Sequence, residues 1–219
     1  MNRSGSWRVS IENDKTTHAV LYVREACGLT PGDNPVVPPR LVGDVPDLSS
    51  SLTEGDRSQA SAAWLDWWRR VIAFEGAKEL GEFSQGSAQG EVIRELVAAH
   101  TAVFDPPDFK SLAGWPSLQS ISRMTCEQAL RFYRQGHIHS PQDQERWRVM
   151  KAVVDDVCAE YQVSASRLNA GVISLAVEGT WSSFPRPGVL LCSENVLKED
   201  ALFAPLLRDT FTQGLALAG

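Results

Sequence analysis

The chain has 219 residues, of which 43% are hydrophobic and 22% charged, and its formal net charge is −6. This length and composition are typical of one globular domain and exclude a chain that is disordered throughout. The negative net charge argues against binding to nucleic acid or to anionic membrane surfaces.

Residues 1–5 are polar and lead directly into strand-like sequence, without the apolar core of a signal peptide. No apolar run approaches the length of a membrane span. The four cysteines are widely spaced and lack a C-x-x-C pair, which indicates free thiols in a reducing compartment. We therefore expect a disordered N-terminus at 1–5 and one globular domain at 6–219, located in the cytoplasm.

The N-terminal part of this domain predicts a strand and then a helix. Residues 7–12 alternate apolar and polar, the period of a strand with one buried face. Thr17 to Cys27 is ambiguous, since residues 20–23 favour a strand by propensity while the apolar residues recur at helical spacing. Gly28 followed by Leu29 is a typical helix end, so we predict a helix here.

Five prolines in residues 30–50 predict an extended segment, which we call the strap. Its valines and leucines indicate that the strap lies against the rest of the protein. A tryptophan-rich helix follows, from Thr53 to about Gly81. Its apolar side chains cover roughly half of its circumference, so we expect the protein's own core or a partner to cover it on two sides. These side chains form two stripes, Ala60, Trp64, Trp67, Val71 and Phe74 in one and Leu65, Trp68 and Ile72 in the other.

The middle of the chain predicts further helices. Residues 91–104 have helical periodicity that ends at Asp105-Pro106-Pro107, and residues 105–122 read as an irregular connector. Thr125 and Gln128 have the spacing of a capping box, which predicts a helix start at Thr125. A last helix of this group begins at Ser140-Pro141.

Residues 173–177 and 189–192 read as two strands joined by the loop 179–188, and a final helix includes residues 202–211. The predicted fold class is therefore α+β. We expect about six helices packed with a small, mainly antiparallel sheet, formed by the N-terminal strand and the two late strands.

Few residues of the sequence suggest a catalytic or metal-binding role. His137 and His139 are the one close histidine pair, and they would bind a metal only with a third ligand; an exposed helix connector explains them as well. His100 lies on an apolar helix stripe, where a core histidine is the commoner interpretation. The phosphate-loop, dinucleotide-binding and nucleophile-elbow patterns are missing. We assign no catalytic, cofactor-binding or metal-binding residue and expect no cofactor.

Loop 179–188 combines Trp181, Phe184 and Arg186 with stiffening prolines, and Trp68 lies on the second stripe of its helix. Tryptophan and arginine dominate binding hot spots, so these four residues are our candidates for partner binding. We expect a non-catalytic accessory or regulatory protein that binds a protein partner or self-associates. The alternative is an enzyme or small-molecule-binding protein with its site under residues 30–50 or 105–122, metal-assisted at His137 and His139.

Overall fold

The computed structural model describes residues 6–84, 89–136 and 143–217. The predicted disorder at 1–5 and the histidines 137 and 139 lie outside this part of the chain. The described residues form an α+β fold, as predicted, with seven helices and four strands. In chain order these are β1 (Arg8–Glu12), α1 (Lys15–Ala26), α2 (Glu54–Glu79), α3 (Gln89–Val103), α4 (Pro116–Gly136), α5 (Asp143–Tyr161), β2 (Asn169–Leu175), β3 (Ser182–Arg186), β4 (Val189–Ser193), α6 (Glu194–Lys198) and α7 (Asp200–Leu217).

The sheet has the strand order β1-β2-β4-β3 and is mixed. β1 pairs with β2 in parallel, β2 pairs with β4 in parallel, and β3 pairs with β4 in antiparallel orientation. The prediction of a mainly antiparallel sheet is wrong because loop 179–188 contains the extra strand β3. This strand reverses the chain direction, so β4 runs the same way as β2. β3 lies at an edge of the sheet, where its proline is tolerated.

The two faces of the sheet are covered by two hydrophobic cores. The first core joins one face to α1, α2, the end of α3 and α4, and the second joins the other face to α5, α6 and α7. Ile173 and Leu191 point into the first core, while Val172 and Leu190 point into the second. The central strands are buried on both faces, which is why they read as apolar runs in the sequence.

The tryptophans of α2 are enclosed by the protein itself. Trp64, Trp67 and Trp68 are fully buried. Each indole N–H donates to a backbone carbonyl, at 2.8 Å to Val20, 2.8 Å to Val103 and 2.6 Å to Val36 in the same order. These partners come from α1, α3 and the strap, so the chain's own elements cover both apolar stripes of α2.

The strap is fastened to the body of the protein, as predicted, but it is not extended throughout, because it contains a turn at 35–36 and a short 3-10 helix at Ser49–Ser51. The buried Arg24 guanidinium donates to the carbonyl oxygens of Pro38 and Pro39, both at 2.6 Å. Leu41 forms an antiparallel bridge with Val177 beyond the end of β2. The strap therefore closes the first core from outside.

The predicted helix start at Thr125 is wrong, because α4 already begins at Pro116. Thr125 is buried in the middle of α4, where its hydroxyl donates to the carbonyl of Ile121 at 2.8 Å. Proline is favourable in the first helical turn, and burial of Leu118 and Ile121 in the first core stabilises the added turns. None of the helices described is long and apolar enough to cross a membrane.

Candidate functional site

Polar side chains gather where the edge strand β1 meets the C-terminal end of α2. Val9 and Ile11 of β1 pack against the second core. On the opposite side of the strand, the Ser10 hydroxyl donates to Glu79, and the Arg8 guanidinium lies against Gly81. The edge of the sheet therefore presents a polar face to α2, where the central strands present an apolar one.

Three carboxylates surround one ammonium group at this place. Lys78 Nζ lies 2.5 Å from Glu75 Oε2, 3.4 Å from Asp14 Oδ2 and 3.4 Å from Glu79 Oε1. We call Asp14, Glu75, Lys78 and Glu79 the acid–lysine cluster. The Glu75 side chain is only 1% exposed, whereas those of Asp14 and Lys78 retain 21% and 27% of their exposure. The cluster is thus buried at Glu75 and Glu79 and open to solvent at Asp14 and Lys78.

Local structure explains how these residues meet. Glu75, Lys78 and Glu79 are three and four positions apart on α2, so their side chains share one face of the helix. Asp14 is the N-cap of α1 and accepts a hydrogen bond from Thr16 N at 2.6 Å. The cap fixes the Asp14 carboxylate at the end of β1, next to that face.

The Glu75 carboxylate lacks the hydrogen-bond donors that the other two carboxylates of the cluster have. Asp14 Oδ1 accepts from Thr16 N, and Glu79 Oε2 accepts from the Ser10 hydroxyl. Both oxygens of Glu75 are buried and have no hydrogen-bond partner among the described residues, although Oε2 lies 2.5 Å from Lys78 Nζ as an ion pair. A buried acceptor without a donor costs free energy, so Glu75 is the unusual member of the cluster.

The environment shifts the pKa values of the cluster in different directions. Burial raises the pKa of Glu75 to about 7, and the negative charges of Asp14 and Glu79 add to this shift while Lys78 opposes it. Burial also acts to raise the pKa of Asp14, but Lys78 and the Thr16 N–H outweigh it and the pKa is lowered. Burial acts to lower the pKa of Lys78, but the carboxylates outweigh it and the pKa is raised. Lys78 therefore stays charged, while Glu75 exchanges a proton near neutral pH.

Two histidines border the cluster and differ in role. His100 of α3 places Nε2 3.3 Å from the Thr16 hydroxyl oxygen, and burial lowers its pKa, so its ring is neutral at pH 7. His18 is fully buried. Ala176 N donates to its Nε2 at 3.0 Å, and its Nδ1 lies 2.8 Å from the Asp14 carbonyl oxygen. These bonds require the Nδ1–H tautomer of a neutral imidazole, so His18 positions the Asp14 turn.

The four candidates for partner binding do not form one surface. Trp68 is fully buried and is therefore not available to a partner in this fold. Trp181 is partly buried and lines a groove of about 310 Å³ with residues of α6 and α7. Phe184 packs against the second core, whereas Arg186 lies on the α2 side, with its guanidinium 2.6 Å from Glu82.

Cavities do exist beside the two irregular segments that the sequence suggested. One of about 340 Å³ lies between α2 and residues 114–118, and one of about 390 Å³ lies between α2 and residues 30–32. Neither contains the acid–lysine cluster. Across residues 6–84, 89–136 and 143–217, no three His, Cys, Asp or Glu side chains are grouped to hold a metal ion.

The acid–lysine cluster was not predicted from the sequence. The spacing of Glu75, Lys78 and Glu79 on one helix face was visible, but it is also the spacing of an ordinary solvated face. The Asp14 carboxylate joins Lys78 across 64 residues of chain, and nothing in the local pattern indicates that contact. Comparison of the chain with models of protein families, with curated proteins and with solved structures gives no match.

Proposed function

We propose that this protein binds a small polar molecule at the acid–lysine cluster and that Glu75 exchanges a proton with it. The observation that carries the proposal is the buried Glu75 carboxylate, whose Oε1 finds no donor in the described part of the chain. A bound ligand that donates a hydrogen bond to Oε1 would offset the cost of burying it.

The surroundings of Glu75 support acid–base chemistry as well as binding. A general acid or base works best when its pKa lies near the working pH, and the pKa of Glu75 is about 7. Lys78 Nζ, 2.5 Å from Glu75 Oε2, stabilises the ionised form, and the neutral His100 ring contacts the Thr16 hydroxyl beside the Asp14 cap. Perturbed carboxylates of this kind are concentrated at functional sites.

The test combines a titration with a ligand screen. We expect the Glu75 side-chain carbon to titrate near neutral pH by NMR, and we expect compounds from a library of polar metabolites to shift the amide signals of Asp14, Thr16 and Lys78. Glu75→Gln abolishes both responses, while Glu127→Gln, a matched change at an exposed glutamate, preserves them. An ordinary pKa for Glu75, together with no compound that perturbs the cluster, would refute the proposal.

A second candidate function is protein binding, as the sequence suggested, and exposed apolar side chains favour it. Ile93 and Val97 lie one turn apart on α3 and are 55% and 58% exposed. Exposed apolar side chains in a row are typical of interaction surfaces, so an accessory or regulatory role with a protein partner, or self-association, rests on this face of α3.

Light scattering on the purified protein, followed by a pull-down from the native host, tests this second candidate. Val97→Glu abolishes self-association or capture of a specific protein, whereas Val42→Glu, at a similarly exposed valine of the strap, does not. A strict monomer that captures no protein would count against it.

We also propose that the protein functions in the cytoplasm, on the evidence of its cysteines. Cys27, Cys126 and Cys192 are buried free thiols. Burial raises the pKa of Cys27 to about 11 and that of Cys192 to about 12. Such thiols behave as small apolar core residues, a use of cysteine that suits a reducing compartment. Localisation of a tagged copy in the native host checks this.

A further inference from the structure

The charges of the acid–lysine cluster are not balanced. Asp14, Glu75 and Glu79 supply three carboxylates, whereas Lys78 supplies one ammonium group. Arg8 lies beyond the end of α2, where its guanidinium packs against Gly81. When Glu75 is ionised, the cluster therefore carries an excess of negative charge, part of it on the most buried of the three carboxylates.

The hydrogen-bond donors of the cluster already face its carboxylates. An ammonium group has three N–H donors, and Lys78 Nζ has one oxygen from each of the three carboxylates within 3.4 Å. The Thr16 N–H and the Ser10 hydroxyl each serve another carboxylate oxygen. The acceptors that remain are those of Glu75: within the described ranges Oε1 meets no donor, and Oε2 has only its ion-pair contact with Lys78 Nζ. An anionic ligand would face three carboxylates, with the one ammonium group already ion-paired to all of them.

We infer that the ligand of the acid–lysine cluster carries a primary ammonium group, which donates to Glu75 Oε1. This inference rests on the proposed function and names its ligand class. An ammonium group supplies both the missing donor and the missing positive charge, and hydrogen bonds between charged partners are the stronger ones. The partial exposure of Asp14 and Lys78 gives such a group a route from solvent.

Three probes that share one alkyl chain test the ligand class: n-butylammonium, n-butanol and butyrate. Binding is measured by calorimetry and by amide NMR shifts at about pH 8, where Glu75 is ionised and the alkylammonium is still charged. We expect n-butylammonium to bind and to shift the amides of Asp14 and Lys78, with no binding of n-butanol or butyrate.

Variants tie that binding to the cluster. Glu75→Gln weakens n-butylammonium binding about tenfold or more, because the charged acceptor is lost. The matched exposed change Glu127→Gln leaves it unaltered. Asp14→Asn provides a second reduction of negative charge, with an expected weakening of severalfold, and is used if Glu75→Gln does not fold by circular dichroism.

The outcomes separate this inference from the proposed function. Absence of n-butylammonium binding overturns the inference, whether or not the other probes bind. If butyrate or n-butanol binds at the cluster instead, the proposed binding site is supported, but the inferred class of ligand is wrong. If Glu75 also titrates at its ordinary pKa and the metabolite screen finds no ligand, the proposed function fails with it.

Discussion

Glu75 links the chemistry of the site to the stability of the fold. Its pKa rises from an ordinary 4.5 to about 7 because it is buried beside Asp14 and Glu79. The folded state therefore holds this proton more tightly than the unfolded chain, and the resulting stability is complete below about pH 4.5 and is lost as the pH rises through about 7. The effect of Asp14 on stability has the opposite dependence on pH. Its pKa is lowered in the folded state, so the stability that it contributes is lost as the pH falls below the ordinary pKa of an aspartate.

Glu75→Gln removes the component that Glu75 contributes to this pH dependence. Between about pH 4.5 and pH 7, the free energy of unfolding of the native protein should fall by about 3 kcal/mol relative to the variant. Urea denaturation across this range measures the difference. For the control Glu127→Gln, the free energy of unfolding should vary with pH as it does in the native protein. A difference between Glu75→Gln and the native protein that is the same at every pH would contradict the raised pKa of Glu75.

The buried indoles of α2 act through both volume and a hydrogen bond. Trp67→Phe removes the N–H that donates to the Val103 carbonyl at 2.8 Å and leaves a cavity in the first core. We expect a loss of about 2–4 kcal/mol in the free energy of unfolding. Trp147 is half-exposed and stacks on Trp7, so Trp147→Phe should cost less than about 1 kcal/mol. Equal losses in the two variants would argue against the described burial.

At the scale of elements, α2 and the central strand β2 approach closely at one glycine. A Cβ built on Gly171 lies 2.8 Å from Glu79 Cβ, too close for any larger residue without movement. Glycine within a strand often marks such an approach. The same contact places Glu79 beside Ser10, so the packing of α2 on β2 also positions the acid–lysine cluster.

Gly171→Ala should therefore push α2 away from β2. We expect a loss of about 1–3 kcal/mol in the free energy of unfolding, as for other overpacked cores, together with shifted NMR signals for Ser10 and Glu79. Gly55→Ala is the control, because a Cβ at Gly55 in the first turn of α2 meets no atom within 4 Å. It should be neutral or slightly stabilising. A neutral Gly171→Ala would show that the contact is looser than described.

A buried arginine fastens the middle of the strap. Arg24 donates to the carbonyls of Pro38 and Pro39 and pairs with Glu25, whereas Arg40, which also pairs with Glu25, is exposed. The Val42 amide donates to the Ala176 carbonyl, and the Glu178 amide donates to the Arg40 carbonyl, so both hydrogen bonds join the strap to the segment after β2. Arg24→Met should therefore raise the hydrogen exchange rates of these two amides about tenfold or more. Arg40→Met should change them little. Equal protection in both variants would mean that the strap is held elsewhere.

In the molecule as a whole, the sheet separates two hydrophobic cores. The reactivity of the cysteine thiols measures how accessible each core is to solvent. Cys27 lies in the first core and Cys192 in the second, Cys126 is also buried, and Cys158 on α5 is half-buried. A thiol reacts as the thiolate and only when accessible. We expect Ellman's reagent to modify Cys158 in the native protein and the other three thiols only after unfolding. Cys158→Ser should abolish the native reaction; a second fast thiol would show that a core opens.

The parts of this protein that depend on local spacing could be predicted from the order of its residues. The alternation of residues 7–12, the helix end at Gly28 and the Thr53 cap all correspond to observed elements. Each of these patterns depends on the backbone preferences and the side-chain spacing of residues that are close together in the chain. The α+β class followed from them.

The strand directions, the burial of Trp68 and the acid–lysine cluster depend on how distant elements pack together. β3 reverses the chain within a segment that reads as a loop, and the cover of α2 is contributed by α1, α3 and the strap. Asp14 reaches Lys78 only because β1 is placed beside the end of α2. Contacts of this range depend on how whole elements pack, and the free energy that shifts the pKa of Glu75 arises from that burial, which local spacing does not encode.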